Sequence, residues 1–182
     1  MKRILLVSLL IFAQVTIAQK LKVDFGSDLD GERWQIINDG VMGGLSKGKT
    51  FMFDDCVVFS GTVSLRNNGG FSSYKGPFKK MDLSKYTKIV VKYRSKGYAM
   101  AMTMEMDKRW FLPYYKRDLP NTDWKWVKQE ILFSEFIKYS VGRKKPGAPT
   151  EEELTNILRL GFVTNEKRAG DFKMEIDYID FK

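Results

Sequence analysis

Tyr98-Ala99-Met100-Ala101-Met102-Thr103-Met104-Glu105-Met106 is the stretch on which the fold turns. Its tyrosine and four methionines occupy every second position, alternating with Ala99, Ala101, Thr103 and Glu105. Successive side chains of a strand point to opposite faces, so all five large side chains share one face of a β-strand. Phe172, Met174, Ile176 and Tyr178 alternate likewise with Lys173, Glu175 and Asp177. Working outward, strands are expected at 20–25, 34–37, 56–65, 88–94, 126–133 and 158–163. Asp39-Gly40, Gly43-Gly44, Asn67-Asn68-Gly69-Gly70 and Lys96-Gly97 supply turn signals in the gaps. Short strands separated by turns predict an all-β sandwich or jelly roll. One short helix is predicted near 150–158. There Thr150 and Glu153 form a capping box after Pro149, Glu151 to Glu153 suit the positive end of the helix dipole, and Leu154, Ile157 and Leu158 follow at helical spacing. The Lys-, Gly- and Pro-rich residues 142–149 read as an exposed loop leading into it.

Composition narrows the chemistry. The chain has 182 residues, 31 Lys and Arg against 22 Asp and Glu, no His and one Cys. Without His, and with Cys56 alone, it has no internal disulfide, no Cys/His zinc site, no Ser-His-Asp triad and no Cys-His pair. Cys56 opens the apolar run Cys56-Val57-Val58-Phe59 and reads as a buried, inert thiol. No P-loop, dinucleotide fingerprint or nucleophile elbow is present, so enzyme activity is left uncertain and less expected than binding.

Lys2 and Arg3 precede an apolar run from Ile4 to Ala13 broken only by Ser8, and the segment closes on Thr16-Ile17-Ala18. This is the order of a secretory signal, residues 1–18, with a cut after Ala18. The run is about half the roughly 20 residues of a membrane span, and no later segment is as continuously apolar. A single exported domain over 19–182, periplasmic or extracellular, is the expectation. Removing Lys2 and Arg3 takes the charge from +9 to +7. That excess favours anionic surfaces, but no nucleic-acid motif accompanies it, so nucleic acid is not an expected partner.

Two Gly-rich stretches are the most distinctive. Trp34-Gln35-Ile36-Ile37-Asn38-Asp39-Gly40-Val41-Met42-Gly43-Gly44-Leu45-Ser46 is followed by Ser64-Leu65-Arg66-Asn67-Asn68-Gly69-Gly70-Phe71-Ser72-Ser73. Both read as strand ends running into turns whose Gly and Asn residues take positive φ at low cost. With Phe133-Ser134-Glu135-Phe136, Leu160-Gly161 and the closing Gly170-Asp171-Phe172-Lys173-Met174-Glu175-Ile176-Asp177, they make the chain resemble the complex I intermediate-associated protein 30 family over residues 22–182. The resemblance implies a galactose-binding-domain-like β-sandwich and a non-catalytic binding or assembly module. Mitochondrial members of that family assist respiratory complex I assembly, a setting that an exported copy does not share.

The expected ligand site is a loop rim built by Asn38, Asp39, Asn68 and Phe71 with Trp110 and Tyr114, holding a protein partner or a glycan. Trp110, Tyr114 and Tyr115 stand among Lys108, Arg109, Lys116 and Arg117, with Trp124 and Trp126 beyond. Aromatic faces stack on sugar rings, and Lys and Arg pair with carboxylate, sulfate or phosphate. Asp28, Asp30 and the last-strand Asp177 offer oxygen ligands for calcium, although the loop lacks the twelfth-position Glu of an EF-hand; no other cofactor is expected. Two alternatives stay open: an exported carbohydrate-active enzyme using a carboxylate pair, and a chaperone-like envelope factor with an exposed apolar patch. Oligomeric state is left open.

Overall fold

The computed structural model describes residues 21–182; the predicted signal segment, its cut after Ala18 and a start at Gln19 lie outside the described residues. Two antiparallel sheets pack face to face. The first orders β3 (Lys47–Phe53), β4 (Cys56–Val63), β13 (Gly170–Phe181), β6 (Lys88–Lys96) and β9 (Val127–Leu132), with β1 (Lys22–Asp24) also on β13. The second orders β11 (Arg143–Lys144), β10 (Ile137–Ser140), β8 (Tyr114–Leu119), β7 (Met100–Glu105), β12 (Arg159–Thr164), β5 (Ser72–Lys75) and β2 (Gln35–Asn38). No helix among the described residues is long and apolar enough to cross a membrane.

The alternation at 98–106 holds. Tyr98, Met100, Met102 and Met104 are fully buried, and they join Phe59, Tyr93, Phe172, Met174 and Ile176 in one core between the sheets. Each such side chain contributes about 1.5–3 kcal/mol by leaving water. The alternation of the last strand holds only as far as Ile176. A register shift between Ile176 and Tyr178 reverses the faces, so Ile179 and Phe181 point inward and Tyr178 outward beneath the Lys22 ammonium. The irregularity also divides one edge of β13, with β4 pairing Gly170 to Ile176 and β1 pairing Tyr178 to Asp180.

The helix is shorter than predicted. Its capping box is present, with Thr150 Oγ1 accepting from Glu153 N at 3.2 Å and Glu153 Oε2 accepting from Thr150 N at 2.9 Å, but α1 spans only Glu151–Leu154. The chain then leaves helical geometry so that Ile157 can bridge to Met81 and Leu158 N can donate to Glu105 O. Within the predicted loop 142–149, Arg143 and Lys144 form the short β11 on an exposed edge. At one corner Gly48 and Gly61 face each other across β3 and β4. A Cβ on Gly61 would lie 1.9 Å from Lys47 O of the adjacent strand, and one on Gly48 2.1 Å from Ser72 Oγ of the other sheet, so bare backbone lets β3 lie close on β4 and lets the two sheets approach there.

Candidate functional site

The Gly-rich stretches meet around a buried carboxylate. Asp39 opens a 3-10 turn over Asp39–Met42 just past β2 and is 1% exposed. Its Oδ1 accepts from Ser46 N at 2.9 Å; its Oδ2 accepts from Gly70 N at 2.6 Å, from Phe71 N at 3.2 Å and from the Ser46 hydroxyl. Burial alone would push this carboxyl up, but the Ser46 hydroxyl and the three N–H donors outweigh it and hold the group below its ordinary value. The neighbouring glycines make room for it, since a Cβ on Gly44 would lie 2.4 Å from Asp39 Cγ and one on Gly69 2.7 Å from Asp39 Oδ2. Asn38 Oδ1 accepts from Gly48 N at 3.1 Å and from Ser72 Oγ at 2.7 Å. Asn67 and Asn68 take φ of 54 and 58, the left-handed conformation expected of them. Trp34 packs into the core against Phe25, Tyr74 and Phe162. This end of the sandwich is a tied knot of two loops.

A different chemistry sits at the far end of the seven-stranded sheet. With Met100, Met102 and Met104 inside, Ala101, Thr103 and Glu105 face outward, and the register aligns Tyr114 and Lys116 of β8 beside them. Tyr114 and Tyr139 of β10 are opposite one another with rings stacked 6.0 Å apart at 27°. Lys116 Nζ lies 4.2 Å from the Tyr139 ring centre and donates to Asn165 Oδ1 at 2.6 Å; burial holds this ammonium below its ordinary pKa. Burial first, then Tyr139 and Glu105, pushes the Tyr114 hydroxyl up. Glu105 is clamped by Lys75 and by Arg159, whose Nε and Nη2 donate at 2.8 and 2.5 Å. Thr103 Oγ1, at the centre of this face, is buried with no hydrogen-bond partner among the described residues. The loop leading into β8 adds Trp110, 71% exposed, edge-on to Phe111 at 5.9 Å.

The six residues expected on one rim therefore divide. Asn38 pairs with Ser72, and that row continues through Thr164 and Met100 to Leu119, whereas Tyr114 pairs with Glu105 at the opposite end of the same strands. Four strand spacings and five residues of strand separate Asn38 from Tyr114, roughly 25 Å. Asn38, Asp39, Asn68 and Phe71 gather at one end and Trp110 and Tyr114 at the other, so the six do not share the single rim expected of them. The 106–113 loop that carries Trp110 has neither the Gly nor the Asn of the loops around Asp39, and no residue in either says at which end of the strands it lies. Thr103 and Glu105 were legible as outward residues of 98–106; Lys75, Tyr139 and Arg159 had no local signal, each being one residue on its own strand.

The acidic residues considered for calcium do not form a cluster: among the described residues no group of three or more Asp, Glu, His or Cys side chains is arranged to hold a metal. Asp30 Oδ2 accepts from Asp24 N at 2.9 Å, and Asp177 pairs with Lys92 at 2.5 Å.

No curated protein matches the chain in sequence. Among solved structures it is similar to the family 11 carbohydrate-binding module from Clostridium thermocellum in complex with a β-1,3-1,4-mixed-linked tetrasaccharide. The two are 18% identical with a TM-score of 0.61, over 87% of this chain and 95% of that one. A second structure of that module, from the cellulosomal cellulase Lic26A-Cel5E of Clostridium thermocellum, gives the same identity and TM-score over 90% and 95%. The agarase AgWH50C matches at 9% identity and a TM-score of 0.53, over 83% of this chain but 23% of the agarase. These likenesses are of fold. Residues 23–176 match the sequence pattern of complex I intermediate-associated protein 30 (CIA30), and the chain belongs to that family.

Proposed function

We propose that the protein is a non-catalytic carbohydrate-binding module that holds a glycan on the outer face of its seven-stranded sheet. The observation that carries this reading is the stacked Tyr114–Tyr139 pair beside Lys116 and the buried hydroxyl of Thr103, which has no hydrogen-bond partner among the described residues. Tyrosine rings offer apolar faces to the C–H side of a sugar, and the surrounding Lys116, Glu105, Lys75 and Arg159 offer donors and acceptors to its hydroxyl edge. The mixed-linked tetrasaccharide bound by the Clostridium module supports the same substrate class on the same fold.

Binding suits this face better than hydrolysis. Its carboxylates, Glu105 and Asp118, lie in the rows of Tyr114 and Ala101, four residues apart along β7 and one strand apart. That places them roughly 14 Å apart by strand geometry, beyond the about 5 to 10 Å used by glycosidase pairs. Both are also engaged, Glu105 by Lys75 and Arg159 and Asp118 by Asn165 Nδ2 at 2.7 Å. A glycan array that includes mixed-linked β-glucan and agarose oligosaccharides tests the reading. Binding that is lost in Tyr114→Ala and in Tyr139→Ala is expected; a silent array, or binding that survives both changes, refutes it.

A protein partner is the second reading, favoured by the exposed Val41, Met42, Leu45 and Leu65 in and beside the loops tied by Asp39. Crosslinked partners that disappear with Met42→Glu and persist with Tyr114→Ala would support it.

A further inference from the structure

The outer face of the six-stranded sheet carries chemistry that the tyrosine face does not use. Its register sets like charges directly opposite one another: Lys96 of β6 against Lys173 of β13, and Lys92 of β6 against Lys128 of β9. Such cross-strand pairs work against the sheet that holds them. Between them runs Arg94, opposite Glu175. In the segment entering β9, Trp124 and Trp126 lie against the same cations. The Arg94 guanidinium is 4.6 Å from the Trp124 ring centre and 4.9 Å from that of Trp126; Lys173 and Lys96 lie 4.4 and 5.0 Å from Trp124, and Lys92 5.5 Å from Trp126. Trp124 adopts φ of 67 directly after Asp123 at φ of 48, a left-handed turn uncommon for so bulky a residue. The turn delivers an indole beneath three cations and fixes where their charges stand.

The local carboxylates leave this array only partly neutralised. Glu175 pairs with Arg94 and Lys173, and Asp177 with Lys92. Asp171, one step further along β13, accepts from Thr62 Oγ1. Lys96, Lys128 and Lys49 form no ion pair among the described residues, and Lys49 continues the row Lys96–Lys173–Ser60 onto β3. On that same strand Phe51 and Phe53 are about half exposed.

We propose that this face is a second binding surface, for an acidic polysaccharide bearing carboxylate or sulfate groups. Fixed ammonium and guanidinium groups on neighbouring strands, about 5 Å apart, suit a chain with repeating negative charge, and the exposed Phe51 and Phe53 suit the apolar side of its sugar rings. A bilayer suits the face less well. The indoles are covered by the protein's own cations, and Phe51 and Phe53 are too small an apolar area to anchor in lipid. The proposal does not rest on the tyrosine face, which lies on the other sheet and shares no residue with this one.

Affinity electrophoresis and calorimetry of the purified protein with sodium polygalacturonate and dextran sulfate, against uncharged dextran, test it. Lys96→Glu with Lys173→Glu is expected to weaken binding of the charged polymers by about tenfold or more, whereas reversing the exposed Arg143 and Lys144 changes it by less than about threefold. Tyr114→Ala leaves it unchanged. If the glutamate pair does not fold, Lys96→Gln with Lys128→Gln against Arg143→Gln with Lys144→Gln gives the same comparison. Equal losses from both pairs of reversals would mean that net charge alone attracts the polymer, and would overturn the proposal. No binding of either charged polymer, or tighter Lys96-dependent binding of single-stranded oligothymidylate or phosphatidylglycerol vesicles than of either polysaccharide, would overturn it too.

Discussion

Replacing Asp39 by alanine tests whether the Gly-rich stretches of this chain are a structural knot or a ligand rim. The carboxylate accepts from three backbone N–H groups and one hydroxyl while almost wholly shielded from water. A hydrogen bond to a charged group is worth about 1.5–3 kcal/mol, but bonds sharing one acceptor do not add. Alanine leaves the N–H groups of Ser46, Gly70 and Phe71 without their acceptor, and water entering the vacated space recovers part of the loss. The net cost expected is about 4 kcal/mol, a large share of the about 5–15 kcal/mol typical of a domain. For a domain of this size that is a fall in Tm of about 8–16 °C. Asp39→Asn keeps one acceptor but turns an NH2 toward donors, so about half the loss is expected.

The pH dependence follows from the same geometry. The folded carboxyl titrates below its unfolded value of about 3.9. Its contribution is therefore complete above that pH and is lost as pH falls through the lower folded value. Asp39→Asn should flatten this acid limb, and a cycle with Ser46→Ala should show coupling of about 0.5–3 kcal/mol. Thermal and urea unfolding at pH 7 and pH 3 supply the measurement. An alanine variant that melts within about 2 °C of the parent yet loses every detected ligand would refute the knot and restore Asp39 to a binding rim.

Three further outcomes are expected. Glu153 accepts from the Tyr115 hydroxyl at 2.6 Å, from Thr150 N and from Lys138 Nζ, and these outweigh burial to bring it down to about 2. Its contribution, about 2 kcal/mol once partial exposure is discounted, is present above about pH 4.3 and lost as pH falls toward 2, so Glu153→Gln should shrink the loss of stability measured across that window. Gly61→Ala should cost about 3 kcal/mol in urea unfolding because its Cβ would meet Lys47 O at 1.9 Å; a loss below about 1 kcal/mol would mean that the corner yields easily. Burial first, then the carboxylates of Asp55 and Glu175, pushes the Cys56 thiol up to about 12, so a thiol reagent at pH 8 should modify it only at the rate of unfolding; faster labelling would show an open thiol.

The fold was readable wherever burial and alternation agree. At 98–106 one face is wholly apolar, so the period of two is plain. On β3 the alternation is present but inverted, because Phe51 and Phe53 face outward while Gly48 and Thr50 take the less exposed positions. A reader of hydrophobicity has no reason to assign that strand. On β8 the outward Tyr114 and Lys116 alternate with the inward Tyr115 and the partly buried Arg117, so the segment reads as uniformly polar and aromatic. The irregularity at Ile176–Tyr178 has no residue of its own to announce it, and it reversed the side assigned to Tyr178. The tyrosine face was less legible still. Lys75, Thr103, Tyr114, Tyr139 and Arg159 come one each from β5, β7, β8, β10 and β12, and only the order of strands in the sheet brings them together.

That separation bears on what family membership carries. Of the stretches that identify the family, the two Gly-rich ones converge on Asp39 and set how two loops close one end of the sandwich. The side chains suited to a glycan stand roughly 25 Å away at the other end of the strands. A chain can therefore keep the first set intact as a condition of folding while the second varies freely, because no hydrogen bond or packing contact of Asp39 reaches Tyr114. The two sets should also separate in experiment. At temperatures below its melting transition Asp39→Asn should bind glycan as the parent does, and Tyr114→Ala should melt close to the parent while losing the glycan. Parallel loss of stability and binding in both variants would show that the two ends are coupled through the sheet, and the division of labour between knot and face would fall.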